Sequence, residues 1–158
     1  GRLAGHPHRA LAYRRAAPPS APRRRGYRVL RRLVEYAEAA PEVRAVFDEI
    51  KAARGVADVN NFWKALAVDP ATLRRTWDSL RVVMAPGGAL DPLVKEMLYL
   101  AASMAAGCTY CIASHTAAAQ AKGMTEAQFG ELLAVVGMAA ETNRLAEALR
   151  VPVDPAFE

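Results

Sequence analysis

The 158-residue chain has no stretch approaching the ~20 uninterrupted apolar residues that a membrane-crossing helix requires, although 53% of its side chains are hydrophobic. Those residues are expected to form a core in water, with no membrane partner. Sustained period-two alternation is also missing, which removes sheet architectures from consideration. No apolar segment resembles the core of a secretory signal. Only two cysteines occur, and without such a signal they point to a reducing, cytoplasmic setting. There a close cysteine pair is more often redox-active or metal-binding than a structural staple.

Acidic residues are absent from the first 34 positions, which hold ten arginines, whereas residues 35–158 carry 11 basic and 16 acidic side chains. The net charge of +5 therefore belongs to the start of the chain, and the remainder has no balance suited to nucleic acid. Residues 1–26, with Ala-Pro-Pro-Ser-Ala-Pro at 17–22 and three consecutive arginines at 23–25, lack an apolar period and are expected to be a basic, disordered extension. An organellar transit peptide and sequence lying upstream of the natural start are the other readings. No repeat of fixed period and no internal linker divides the rest, so residues 27–158 are expected to form one helical domain.

Within it, Val29, Leu30, Leu33, Val34 and Ala37 recur at helical spacing and predict an amphipathic helix from Tyr27 to before Pro41. A second helix is expected over 42–54, with Val43, Val46, Phe47 and Ile50 inward, ending at Gly55. Asp58–Asn61 read as a turn before a short apolar segment that Asp69-Pro70 closes. Pro70 then opens a helix with Leu73, Trp77, Leu80, Val83 and Met84 as its buried stripe. Asp91-Pro92 opens another, expected to run to about Ala106 and to break at Gly107. Residues 108–122 follow, with Gly123 as a terminator. Thr125–Gln128 has the form of a capping box leading into a long last helix, with Leu132, Leu133, Val136, Ala140, Leu145 and Leu149 inward. Phe62, Trp63, Trp77 and Tyr99 lie among aliphatics at helical intervals, and core packing is their expected role.

The chemistry is concentrated in Gly107-Cys108-Thr109-Tyr110-Cys111-Ile112-Ala113-Ser114-His115. At ~100° per residue, offsets of three and seven place Cys108, Cys111 and His115 on one helix face. The helix start favours the thiolate, which is the reactive form of cysteine, and His115 can take the thiol proton or stabilise the anion. If the chain reverses at Gly107, Glu96 and His115 lie at similar heights, ~16 Å and ~12 Å from the turn. They can then meet across an antiparallel helix pair. Zinc is the competing reading, since Cys108, Cys111, His115 and Glu96 offer four ligands. Structural zinc sites usually recruit a second pair with its own short spacing, and there is no third cysteine, so no metal or cofactor is expected.

With these residues in view, the sequence resembles the AhpD-like branch of the carboxymuconolactone decarboxylase superfamily. The resemblance rests on Leu90–Glu96, on Gly107–Thr116, and on Asn60 with Phe62–Leu66; it covers about 35–153. It implies an all-α helical bundle of one domain that assembles into homotrimers or homohexamers. It also implies a thiol-dependent hydroperoxide reductase, with Cys111 as the peroxidatic thiol, Cys108 as the resolving thiol, and Glu96 and His115 as the proton relay. The cycle would pass through a Cys108–Cys111 disulfide reduced by an external dithiol or protein reductant. Some members carry a histidine between the cysteines, where this chain has Tyr110. Dipole reasoning favours Cys108 as the first thiolate, whereas the resemblance favours Cys111. Two further activities fit the same family: a disulfide reductase without peroxidase activity, and the acid–base lactone decarboxylation that needs no cysteine pair.

Overall fold

A computed structural model describes residues 32–157. The expected disordered extension at 1–26 and the first five residues of the expected first helix lie outside that range. Among the described residues the regular structure is helical throughout, with six α-helices and two short 3₁₀ turns.

The first three helices build one core. Helix α1, Pro41–Arg54, begins with proline, where the missing N–H costs nothing, and carries Glu42 in its first turn and Lys51 and Arg54 in its last, matching the helix dipole. Its buried face is Val43, Val46, Phe47 and Ile50. These pack with Trp63 of α2 (Asn61–Leu66) and with Leu73 and Trp77 of α3 (Pro70–Val83). Phe47, Ile50 and Leu73 have no solvent exposure, and each such side chain contributes about 1.5–3 kcal/mol by leaving water. The edge-to-face pair of Trp63 and Trp77, centroids 5.6 Å apart, closes this cluster on the side facing the second half of the chain's helices.

The second half is organised around α4, Pro92–Ala106, and α5, Thr109–Ala121. The Asp91 side chain caps α4 by accepting the Leu93 N–H at 2.8 Å. The helix ends at Gly107 with φ +68°, a left-handed conformation that glycine adopts without the Cβ clash other residues suffer. The Cys108 N–H then donates to the Ser103 carbonyl at 3.0 Å, and the chain turns back so that α5 packs along α4. Leu100, Ala119 and Met124 are the buried centre, joined by Met97, Ile112 and Phe129. Helix α6, Glu126–Leu149, starts with the expected capping box of Thr125 and Gln128.

Four expectations are corrected. The helix predicted before Pro41 is absent from its described part, where residues 32–35 are non-helical and Tyr36–Glu38 form a 3₁₀ turn. Here tertiary contacts override the period: the Val34 N–H donates to the Lys64 carbonyl at 3.1 Å, and Lys64 Nζ pairs with Glu35 at 2.6 Å, pinning the segment extended against α2. Val83, assigned to a buried stripe, is 65% exposed because α3 ends there. Helix α6 has no buried residue; Leu133, Ala140, Leu145 and Leu149 are exposed, while Leu132 and Val136 are half-buried. At 24 residues it spans ~36 Å against ~22 Å for α4, the helix it chiefly packs on, so much of its apolar face outruns the core. Finally, Phe62 and Tyr99 are not core residues but half-exposed rings beside the site described next.

Candidate active site

The turn at Gly107 sets the start of α5. Cys108 occupies the N-cap position with extended backbone, and its Sγ accepts the Cys111 N–H at 3.3 Å. The two residues are joined as a disulfide, with Cα atoms 5.3 Å apart, a separation such a bond accommodates readily. Both are half-buried. They differ in what they face: Cys111 lines a cleft of about 770 Å³ between the two halves of the fold, and Cys108 is not among its lining residues.

One turn further along α5, His115 also lines the cleft, and its Nδ1 lies 2.7 Å from Glu96 Oε2 on α4. The expected meeting of these residues across the antiparallel pair is therefore present. Glu96 is 5% exposed, which for an isolated carboxylate would favour the neutral form. Burial does push its pKa up, but hydrogen bonds from His115 and from Lys122, together with their charges, outweigh it and hold the carboxyl below the ordinary glutamate range. An ionised Glu96 can only accept, so Nδ1 of His115 donates to it, and it is the neutral imidazole that offers a lone pair at Nε2. Tyr99 stacks on the imidazole, centroids 3.7 Å apart and planes within 19°, and fixes the ring from its face.

Lys122, the C-cap residue of α5, reaches Glu96 Oε1 at 3.0 Å. It was not anticipated from the sequence, though its position seven residues after His115 puts it on the same helix face. Arg54 was also missed. From the last turn of α1 it places its guanidinium over the rings of Trp63 and Trp77, 5.4 and 5.9 Å from their centroids, and it lines the cleft with them. As a residue it is exposed, yet partial burial of the guanidinium lowers its pKa against the opposing pull of Glu96 and Tyr110. Tyr110 ties the cysteine turn to the other half of the fold: its hydroxyl accepts the Phe62 N–H at 3.2 Å and its ring stacks on Phe62.

Of the four residues singled out for chemistry, Glu96, Cys111 and His115 share the cleft, and Cys108 is joined to it through its bond to Cys111. The thiols are bonded to each other, and Glu96 is engaged by His115 and Lys122. Among the described residues, no helix is long and apolar enough to cross a membrane.

Comparison with curated proteins gives no match. A solved structure described as the alkylhydroperoxidase AhpD core from Rhodospirillum rubrum ATCC 11170 is similar at 58% identity, with a TM-score of 0.77, over 80% of this chain and 94% of that one. Residues 70–154, from the start of α3 to beyond α6, match the model of the carboxymuconolactone decarboxylase family. The helix pair with its cysteine turn, the 58% identity and the match over more than half of the chain agree, and this chain belongs to the carboxymuconolactone decarboxylase family.

Proposed function

We propose that the protein is an alkylhydroperoxidase in which Cys111 attacks the peroxide, Cys108 resolves the product, and His115 with Glu96 moves the proton. The observation that carries this reading is the bonded Cys108–Cys111 pair at a helix start, with Cys111 on the wall of a cleft it shares with a His115–Glu96 hydrogen bond. In the reduced protein, Nε2 of His115 accepts the thiol proton, and the Cys111 thiolate attacks the terminal oxygen of the hydroperoxide. The O–O bond breaks, the alkoxide takes a proton from the imidazolium and leaves as alcohol, and Cys111 becomes a sulfenic acid.

Cys108 then gives up its thiol proton and attacks the Cys111 sulfur; the hydroxyl leaves with that proton as water and the disulfide closes. An external dithiol returns two electrons and two protons. The N-cap position suits Cys108 to the resolving step, because the Cys111 N–H that reaches its sulfur favours the anion this attack requires. That division reconciles dipole reasoning, which picks out Cys108, with a first attack by Cys111 from inside the cleft. The exposed apolar residues of α6, Leu133, Met138, Leu145 and Leu149 among them, are consistent with burial between copies in a homotrimer or homohexamer, which light scattering distinguishes from a monomer.

The test is organic hydroperoxide consumption by the purified protein with a dithiol, comparing wild type with Cys111→Ser and Cys108→Ser. Turnover is expected to be lost in both, with a sulfenic acid trapped on Cys111 in Cys108→Ser. A pair that cycles freely between dithiol and disulfide yet consumes no peroxide would move the assignment to a disulfide reductase.

A further inference from the structure

The cleft contains more than the redox pair needs. A water occupies ~30 Å³ in the liquid, so hydrogen peroxide would leave most of a cleft of about 770 Å³ to solvent. That volume falls in the range of pockets for small organic ligands, roughly 300–1,000 Å³. Its walls include Phe62, Trp63, Trp77, Leu80 and Met84, a surface for an apolar body. Its charges are unequal: Arg54, Arg81 and Lys122 against Glu96 alone.

Two of those cations have partners. Lys122 is held by Glu96 at 3.0 Å, and Arg81 by Asp78 at 3.2 Å. Arg54 is different. Among the described residues no carboxylate lies within 4.0 Å of it and it donates no hydrogen bond, so its guanidinium rests on two indole faces with its N–H fork open to solvent and without a protein partner there. Beside it, the buried indole N–H of Trp63 also lacks an acceptor among the described residues. A guanidinium fork of this kind matches a carboxylate in two parallel hydrogen bonds.

We infer that Arg54 is an anion anchor, and that the preferred substrate is an organic hydroperoxide that also carries a carboxylate, joined to the peroxide by an apolar body lying along the aromatic wall. This rests on the peroxidase reading above and adds a substrate class to it. Glu96 does not oppose the anion strongly, because its charge is already answered by Lys122 and the His115 N–H. The carboxylate could instead belong to the dithiol that reduces the pair, and the experiment separates the two sources.

Steady-state kcat/KM is measured for a long-chain fatty acid hydroperoxide and for its methyl ester, both with dithiothreitol as the neutral reductant. Wild type is expected to prefer the acid by roughly tenfold to a hundredfold, the worth of a hydrogen-bonded charged group. In Arg54→Met that ratio is expected to collapse towards one, in Arg54→Lys to be partly retained, and in Arg81→Gln to stay within about twofold of wild type. Circular dichroism establishes that each variant is folded, and turnover of the uncharged cumene hydroperoxide is measured for each as the rate against which its acid-to-ester ratio is read. Equal rates for acid and ester in wild type, or loss of the preference in Arg81→Gln but not Arg54→Met, would overturn the inference while leaving the peroxidase reading intact. Absence of turnover with every peroxide would remove both. If Arg54→Met instead slows reduction by dimercaptosuccinate and not by dithiothreitol, the anion belongs to the reductant and the substrate assignment fails.

Discussion

Replacing Lys122 by methionine keeps the length and apolar stem of the side chain and removes its charge. The ammonium lies 3.0 Å from Glu96 Oε1, on a carboxylate whose side chain is 7% exposed, while the lysine is itself 39% exposed. At 3.0 Å the pair interaction is about 1.4 kcal/mol at the dielectric constant of water and about 5.5 kcal/mol at an effective value of 20. The exposed end of the lysine pulls the answer towards the lower limit, to about 1–2 kcal/mol. The same amount taken from the relay corresponds to a loss of roughly tenfold in kcat/KM. The pH profile is the sharper readout. In the native protein Glu96 titrates below its ordinary value of 4.5 because two donors outweigh burial; with Lys122 gone, burial is opposed by His115 alone, and the carboxyl titrates higher. The acid limb of kcat/KM against pH therefore moves to higher pH in Lys122→Met and stays near the wild-type position in Lys122→Arg. Stability follows the same sign. A depressed carboxyl contributes stability that is present above 4.5 and lost as pH falls through the folded value, so the variant gains less from Glu96 near neutral pH. A wild-type acid limb together with kcat/KM within twofold of wild type would refute the reasoning.

Three further outcomes follow from the same geometry. Glu96→Gln offers an amide that can donate to Nδ1 of His115 and so reverse the tautomer, and peroxide turnover at pH 7 is expected to fall by about 10²–10⁴, measured by single-turnover kinetics with the fold checked by circular dichroism. Phe47→Ala empties a fully buried site between α1, α2 and α3, and urea unfolding should show about 3–5 kcal/mol lost. Gly107→Ala forces a Cβ onto a residue at φ +68°, costing about 1–2 kcal/mol; because this turn also aims Cys108, the thiol–disulfide equilibrium against a glutathione series should shift along with stability.

Helix boundaries were legible where the chain is punctuated by residues with one conformational use. Pro41, Pro70 and Asp91-Pro92 open α1, α3 and α4, and Gly107 and Thr125 mark a stop and a cap that hold in three dimensions. The Glu96–His115 meeting was legible too, because a reversal at Gly107 and a fixed rise per residue determine the heights of both side chains. Other features depend on how helices lie beside one another, which periodicity does not encode. The segment before Pro41 has an amphipathic pattern, yet a hydrogen bond to Lys64 and an ion pair with it hold its last part extended. Tyr99 has the spacing of a core residue and stacks on the His115 imidazole instead. Arg54 reads as an ordinary dipole-compensating residue at the end of α1, and only the approach of Trp63 and Trp77 gives it a second meaning.

The cleft draws its lining from both halves of the fold. Glu96, Cys108, Cys111, His115 and Lys122 all fall within residues 70–154, the part matched by the family model, and are carried by the tightly packed α4–α5 pair. Arg54, Phe62 and Trp63 come before residue 70, from α1 and α2, and reach the same cleft across the boundary between the two core clusters. The cleft is thus lined from both core clusters, with the Phe62–Tyr110 hydrogen bond and stack as a direct link between the cysteine turn and the aromatic wall. On the proposed roles, substitutions in α1 and α2 are expected to change peroxide preference more than proton transfer, because neither Glu96 nor His115 draws a hydrogen bond from those helices. Lying between the two cysteines, Tyr110 is in direct contact with Phe62 of the aromatic wall, through its hydroxyl and its ring.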